Sequence, residues 1–399
     1  MSAKWTMLVY MAGDNNLESA GRSDLNEMRK VGSDENINVL VQFDTEENKT
    51  TRYRVLKGKL ELLQEMPGVD CGDPAILTDF LKWGVVNYPA DHYLVNVWNH
   101  GGGGENLPEG FDYESIRAAK PEKGAKLMRT KRSIFRTTAK KIGALPASDK
   151  AIAVDCGSQD YLDNQELRKA LENAMPAGKK FDIFACDACL MNNLEIAYEM
   201  RKTADFMVGS EETEPGAGWP YDAILRELVA NPAMSPKELA EMIVAEYGKS
   251  FEKRGESATQ SALDLNNIDP VVKSIDTMSS VLLNNLNDMK DGVALARDYA
   301  QKFYYPEYID LADFADLLSK KISGSADLKS ATDELLSANS GFVIANTTVG
   351  SSVEQAQGAS IFFPPGAKIP SEYMDLLLTK DGNTWSQFLK SFFLARKTR

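Results

Sequence analysis

Histidine is nearly missing from this chain: 399 residues contain only His92 and His100. Any step that needs an imidazole near neutral pH must use one of those two. Cysteine is scarce as well, with Cys71, Cys156, Cys186 and Cys189, too few for a disulfide framework in a chain of this length. No run reaches the ~18 consecutive apolar residues of a membrane-spanning helix, so no membrane partner is expected. Basic charge is also in deficit. A formal net charge of −13 argues against general nucleic-acid binding, which needs a cationic face to displace counterions from phosphates, and favours a cationic partner. The opening MSAKWTMLVYMAGDNN passes from Lys4 into a short apolar strand without a small-residue cleavage site. The default location is therefore cytoplasmic, with secretion open if the chain is a mature form.

What is present is alternation. The strand-like runs WTMLVYMAG, INVLVQFD, HYLVNVWN, AIAVD, FDIFACDA and FMVGS are separated by amphipathic stretches such as PAILTDFLKWGVVNYP, LDNQELRKALENAM and LMNNLEIAYEMRK, and RYRVLKGKLELLQEM reads as a hairpin. This order implies right-handed crossovers and a mostly parallel sheet with helices on both faces. Ligands of such sheets sit beyond the carboxyl ends of the strands. The α/β unit is expected over residues 1–220, with a mainly helical region over 221–399 in which TQSALDLN, GFVIANTT and ASIFFPP are strands able to return to the sheet.

Residues 102–150 interrupt the alternation. The segment opens on glycines and carries ten Lys and Arg residues between Arg117 and Lys141, inside an otherwise acidic chain. A connection this long is either functional or a solvated basic loop.

Two apolar runs stop at reactive residues. HYLVNVWN ends at His100, followed by Gly101, whose lack of a Cβ leaves room for a substrate backbone. FDIFACDA ends at Cys189, at what reads as a helix start, where the dipole and unpaired N–H groups favour a thiolate. An imidazole beside a thiol serves as general base and later protonates a leaving amine, while the N–H groups of Gly101 and Cys189 offer an oxyanion site. The C-D-A-C spacing of Cys186 and Cys189 also fits a dithiol motif, which keeps a thiol–disulfide oxidoreductase open. The paired spacings of structural zinc sites are absent, so no metal is expected. His92, Cys71 and Cys156 read as structural.

Six separated blocks carry a resemblance: WTMLVYMAGDNNLE, WNHGGG, YLDNQELRKAL, DACLMNNLEIAYE, GSEETEPGAGWPY and AQGASIFFP. In this order they resemble the clostripain family of cysteine peptidases, in the clan of caspases, legumains and gingipains. The resemblance implies a caspase-like sheet and a His–Cys dyad that hydrolyses protein or peptide substrates after Arg or Lys, with no organic cofactor required. His100, Gly101 and Cys189 match the family's histidine, its neighbouring glycine and its nucleophile. Asp187 matches a position lining the specificity pocket. The SEETEPG segment supplies a further wall, with Ser210 and Glu211 as contacts and Glu212 and Glu214 as further contributors. Cys186 stands where relatives commonly carry an aromatic residue, which leaves redox sensitivity open.

Family members are typically cut between the histidine and the cysteine. The resemblance thus makes the basic segment an autocleavage loop, with candidate bonds after Arg132, Lys141 and Lys150. Calcium enters only through the resemblance, because no D-x-D-x-D-G loop is present. A third class, a non-catalytic binder of basic peptides, stays open beside the peptidase and the oxidoreductase.

Overall fold

The computed structural model describes residues 2–101, 112–117 and 152–397. Arg132, Lys141 and Lys150 lie outside the described residues.

The chain opens with β1 (Ala3–Gly13), α1 (Glu18–Val31), β2 (Ile37–Thr45), the hairpin β3 (Lys49–Leu56) and β4 (Lys59–Pro67), α2 (Pro74–Asn87) and β5 (Ala90–Trp98). It continues through α3 (Tyr113–Arg117), β6 (Ile152–Asp155), β7 (Asp160–Leu162), α4 (Asn164–Ala174), β8 (Phe181–Asp187), α5 (Leu194–Met200) and β9 (Ala204–Gly209). Then come α6 (Tyr221–Ala230), α7 (Pro236–Arg254), β10 (Ala258–Asp264), α8 (Ile268–Asn284), α9 (Leu286–Tyr299), β11 (Tyr308–Asp310) and α10 (Leu311–Lys321). The last elements are α11 (Ala326–Phe342), β12 (Val343–Val349), β13 (Ser360–Phe362), α12 (Leu377–Lys380) and α13 (Thr384–Lys397).

A nine-stranded sheet runs in the order β12-β10-β9-β8-β5-β1-β2-β3-β4. Strands β2, β1, β5, β8 and β9 are parallel neighbours. Antiparallel pairs extend the sheet at both edges, β3 and β4 on one side, β10 and β12 on the other. The mostly parallel architecture expected from the alternation is present. The C-terminal strands β10 and β12 do return to it, so the sheet runs across the boundary expected near residue 220.

Helices cover both faces, and two glycines show how closely. Strand alternation puts Leu8 and Met11 on opposite faces. On the Leu8 face, a Cβ at Gly84 of α2 would lie 2.3 Å from Leu8 Cδ2. On the Met11 face, a Cβ at Gly21 of α1 would lie 2.9 Å from the Phe43 ring. Strands buried on both faces need near-continuous apolar sequence, and every residue of β2 is buried.

One expected strand leaves the sheet. Of the AIAVD run, Ile152–Asp155 forms β6, which pairs with β7 in a separate two-stranded sheet and touches the chain just beyond β5 through a bridge between Gly101 and Ile152. Ala153 takes a φ of +58°, a left-handed conformation that breaks regular pairing within four residues.

Buried carboxylates fasten the C-terminal region to the segment after the cysteine. Glu195 on α5 accepts hydrogen bonds from Phe362 N and the Tyr373 hydroxyl, both at 3.0 Å. Glu199 accepts from Leu377 N at 2.6 Å and pairs with Arg168 at 2.9 Å. Asn192 Nδ2 donates to Gly358 O at 3.1 Å.

Burial pushes the Glu195 carboxyl from 4.5 up to about 7. A carboxyl raised in the folded state contributes fully below its unfolded pKa, and that contribution is lost as pH rises through the folded value. Between pH 4.5 and 7, Glu195 should thus remove up to about 3 kcal/mol of stability. Denaturant melts at pH 5 and 7.5 test this: Glu195→Gln should flatten the difference between the two, and an unchanged pH dependence would contradict it.

Candidate active site

The register of β5 and β8 assembles the site. Trp98 lies opposite Asp187, and two residues beyond each stand His100 and Cys189. Both are buried, with 2% of their surface exposed. Gly101 lies directly against the Cys189 backbone: a Cβ there would sit 2.2 Å from Cys189 O and 3.0 Å from Cys189 N. No other residue fits, and the glycine expected for backbone approach is required by contact with the cysteine segment itself.

Asparagines hold the histidine end, and sequence reasoning did not single them out. Asn15 Nδ2 donates to Ala12 O at 3.0 Å and Val154 O at 2.8 Å. Asn99 Oδ1 accepts from Val154 N at 3.1 Å, and Asn99 N donates to Asp187 O at 3.4 Å. The ends of β1, β5, β6 and β8 are stitched together by this network. His100 Nε2 lies 2.8 Å from Asn16 Oδ1. An amide oxygen only accepts, so Nε2 carries the proton and neutral His100 keeps Nδ1 as its basic nitrogen. In the sequence the only signal of Asn15 and Asn16 is the DNN triplet that follows the first strand.

The cysteine is not at a helix start. Leu190 adopts φ +63°, and α5 begins at Leu194, capped by the Asn193 side chain accepting from Ile196 N at 2.9 Å. A left-handed residue interrupts helical propagation, and the cap resets it four residues past the thiol. The helix dipole expected to favour a thiolate therefore falls elsewhere. Instead, Glu214 N donates to Cys189 Sγ at 3.3 Å.

Burial pushes the Cys189 thiol well up, helped by Glu214, although the Glu214 N–H works against the rise. Burial also drives His100 down to about 3. Burial thus favours a neutral thiol and a neutral imidazole over a thiolate–imidazolium pair.

Cys186 sits inside β8, opposite Val97 and fully buried. Strand alternation puts it on the other face from Asp187. All four cysteines are free, and burial pushes the Cys186 thiol up. A dithiol motif needs its first cysteine exposed at a helix N-terminus, so this position does not suit an oxidoreductase.

The acidic residues separate. Asp187, 5% exposed, accepts from the Tyr221 hydroxyl at 2.7 Å and Trp219 N at 3.4 Å. Ser210 is occupied within its own loop, donating to Glu212 O at 2.9 Å and meeting the Thr259 hydroxyl at 2.9 Å. Glu211 turns toward the C-terminal region, where Gly358 N donates to it at 2.9 Å and Asp310 is a close neighbour. Glu214 is the loop acid that accompanies Asp187. Next to it, a cavity of about 360 Å³ opens between Glu212–Pro215, Ser257, Ser352 and the aromatic Phe303 and Tyr304.

Among the described residues, Asp44, Cys71 and Asp155 bring ligand-type atoms within 4.8 Å of one another. Asp155 already accepts from Cys71 N, Gly157 N and Ser158 N, and Asp44 from the Thr50 hydroxyl. A thiol with two engaged carboxylates does not fit the all-oxygen shell of calcium.

A thiol and an imidazole on adjacent strand ends of a caspase-like sheet, next to a buried acid, are the groups that a cysteine hydrolase requires. The chain belongs to the clostripain family, whose model matches residues 9–118 and 134–392, and is thereby a cysteine peptidase. Clostripain from Hathewaya histolytica is 24% identical over 437 aligned positions, spanning 93% of this chain and 76% of that protein. A secreted C11 cysteine protease from Bacteroides thetaiotaomicron, solved with an irreversible peptide inhibitor, superposes with a TM-score of 0.64 at 20% identity, covering 98% of this chain and 99% of that one. An inactive zymogen C11 protease from Parabacteroides distasonis gives 0.66 at 20% identity, covering 96% and 98%.

A neutral resting thiol has a measurable signature. Alkylation of Cys189 by iodoacetamide in the uncleaved chain, followed by mass spectrometry, should accelerate by about tenfold per pH unit from pH 6 to 9. A rate already level at pH 5 would show a preformed ion pair instead.

Proposed function

We propose that this peptidase cleaves its substrates after Arg or Lys, using Cys189 as nucleophile and His100 as general base and acid. The observation that supports the specificity is Asp187: a carboxyl group buried two residues before the nucleophile, with Tyr221 as hydroxyl donor and no ion pair among the described residues. A guanidinium or ammonium group is its natural complement.

The chemistry follows from the strand ends. His100 Nδ1 takes the thiol proton as Sγ attacks the scissile carbonyl. The N–H groups of Cys189 and Gly101 would meet the oxyanion of the tetrahedral intermediate. His100 then returns the proton to the leaving amine, and an acyl-enzyme remains on Cys189. Water, deprotonated by the same imidazole, releases the acid. These steps use no organic cofactor.

Two further readings accompany this one. The basic segment between His100 and Cys189 is the substrate of a first, autocatalytic cut, with Arg132, Lys141 and Lys150 as candidate bonds; the inactive zymogen of the Parabacteroides relative supports such control. Export is favoured over the cytoplasmic default by the secreted Bacteroides relative. No described helix is long and apolar enough to cross a membrane.

The test is an assay of wild type, Cys189→Ala and Asp187→Asn on fluorogenic peptides ending in Arg, Lys, Asp or Leu, with N-terminal sequencing of each purified protein. Cys189→Ala should be inactive and uncut. Asp187→Asn should lose roughly 100-fold in kcat/KM on Arg peptides, the scale of an unpaired buried charge. Equal cleavage after Leu and Arg by wild type would overturn the specificity, and a cut Cys189→Ala chain would overturn autocatalysis.

A further inference from the structure

Glu214 is 2% exposed on the loop between β9 and α6; the Trp219 side chain is its neighbouring donor, and neither carboxyl oxygen is met by a donor at full hydrogen-bonding geometry. Its side chain is in hydrogen-bonding contact with Asp187. Two ionised carboxylates cannot hydrogen bond to each other, and in a buried pocket they repel strongly. A proton on Glu214 removes the conflict: its hydroxyl donates to Asp187, which also accepts from Tyr221 and Trp219 N.

Resting on the proposed cleavage after basic residues, we propose that Glu214 is a second specificity-determining carboxyl group, sharing one proton with Asp187 until the substrate's cation displaces it. On binding, the O–H bond of Glu214 breaks, its proton passes to solvent, and the carboxylate pairs with the incoming cation beside Asp187. The pocket then holds two negative charges around one positive charge, with the Tyr221 hydroxyl still in place.

The surroundings favour this exchange. Burial and then Asp187 push Glu214 well up, outweighing the Trp219 side chain that draws it down, while the Glu214 and Tyr221 hydrogen bonds hold Asp187 down against its own burial. The groups facing the pair are Asp24 on α1, which accepts from Trp98 Nε1 at 2.8 Å, Tyr221 on α6, Tyr247 on α7, and the thiols of Cys186 and Cys189. None is cationic. Burial pushes both tyrosines and both thiols upward, so they stay neutral across the range of interest. Gly218, at φ +57°, keeps the wall thin: a Cβ there would lie 3.3 Å from Asp187 Oδ1 and 3.5 Å from Asp24 Oδ2.

Glu214 also reaches the reaction centre, because its backbone N–H donates to Cys189 Sγ at 3.3 Å. One residue thereby touches both the side chain that is selected and the sulfur that attacks.

The experiment compares kcat/KM of the active wild-type enzyme on two peptides differing only at the cleaved residue, arginine or its neutral isostere citrulline, from pH 5 to 9. Ionisations of His100 and Cys189 affect both substrates alike and cancel in the ratio. Citrulline leaves the proton in place, whereas arginine expels it. The arginine-to-citrulline ratio should rise about tenfold per pH unit while the pair is protonated, and Glu214→Gln should flatten it. A flat ratio with arginine preferred would overturn the shared proton and leave basic specificity standing. Equal cleavage of the two peptides at every pH would overturn both. The wild-type ratio decides the matter even if Glu214→Gln fails to fold.

Discussion

The parallel pairing of β5 with β8 is the constraint on which the rest depends. Because Trp98 lies opposite Asp187, the two chains leave the sheet side by side, and His100 and Cys189 emerge at the same height. A slip of one residue would turn Asp187 to the other face, away from Tyr221, and place Cys186 where the acid now stands. The register is held by burial on both faces and by side-chain bonds across it, among them Asn96 Oδ1 accepting from Asp187 N at 3.0 Å. The positions of Cys189, His100 and Asp187 are thus consequences of a single strand alignment.

The region beyond residue 220 contributes to that alignment rather than standing apart. Strands β10 and β12 complete the sheet, and Tyr221 reaches Asp187 from the first turn of α6. Glu195, Glu199 and Asn192 tie the segment after Cys189 to residues 358–377 through bonds to backbone groups. Such bonds do not depend on which side chains the partner segment carries. They fix the position of the loop that ends β8.

The parallel sheet was legible because apolar runs without alternation have one common cause, burial on both faces. The adjacency of His100 and Cys189 was legible because each ends such a run. The details beyond the strand ends were not. Leu190 in a left-handed conformation delays α5 to Leu194, and the text LMNNLEIAYEMRK, with apolar spacing suited to a helix throughout, gives no sign of that break. In SEETEPG the acids differ only in where the loop turns: Glu211 faces Gly358 and Asp310, whereas Glu214 faces Asp187. Loop direction is a tertiary property, so the sequence could put Glu211 ahead of Glu214 as the pocket contact, the reverse of what the loop does. Asn16 was hidden for the same reason, since its hydrogen bond to His100 joins residues far apart in the chain. The exclusion of the dithiol reading likewise required knowing that β8 continues through Cys186 to Asp187.

The central claim is that Cys189 and Asp187 belong to one site, the first attacking and the second selecting. A peptidyl-arginyl chloromethyl ketone tests both at once, with the adduct located by mass spectrometry and its rate of formation compared with that of iodoacetamide. The account predicts a single adduct on Cys189, formed at least about 30-fold more slowly in Asp187→Asn, while iodoacetamide labels the two proteins at similar rates. An adduct on Cys186, Cys71 or Cys156, or a rate indifferent to Asp187→Asn, would contradict it.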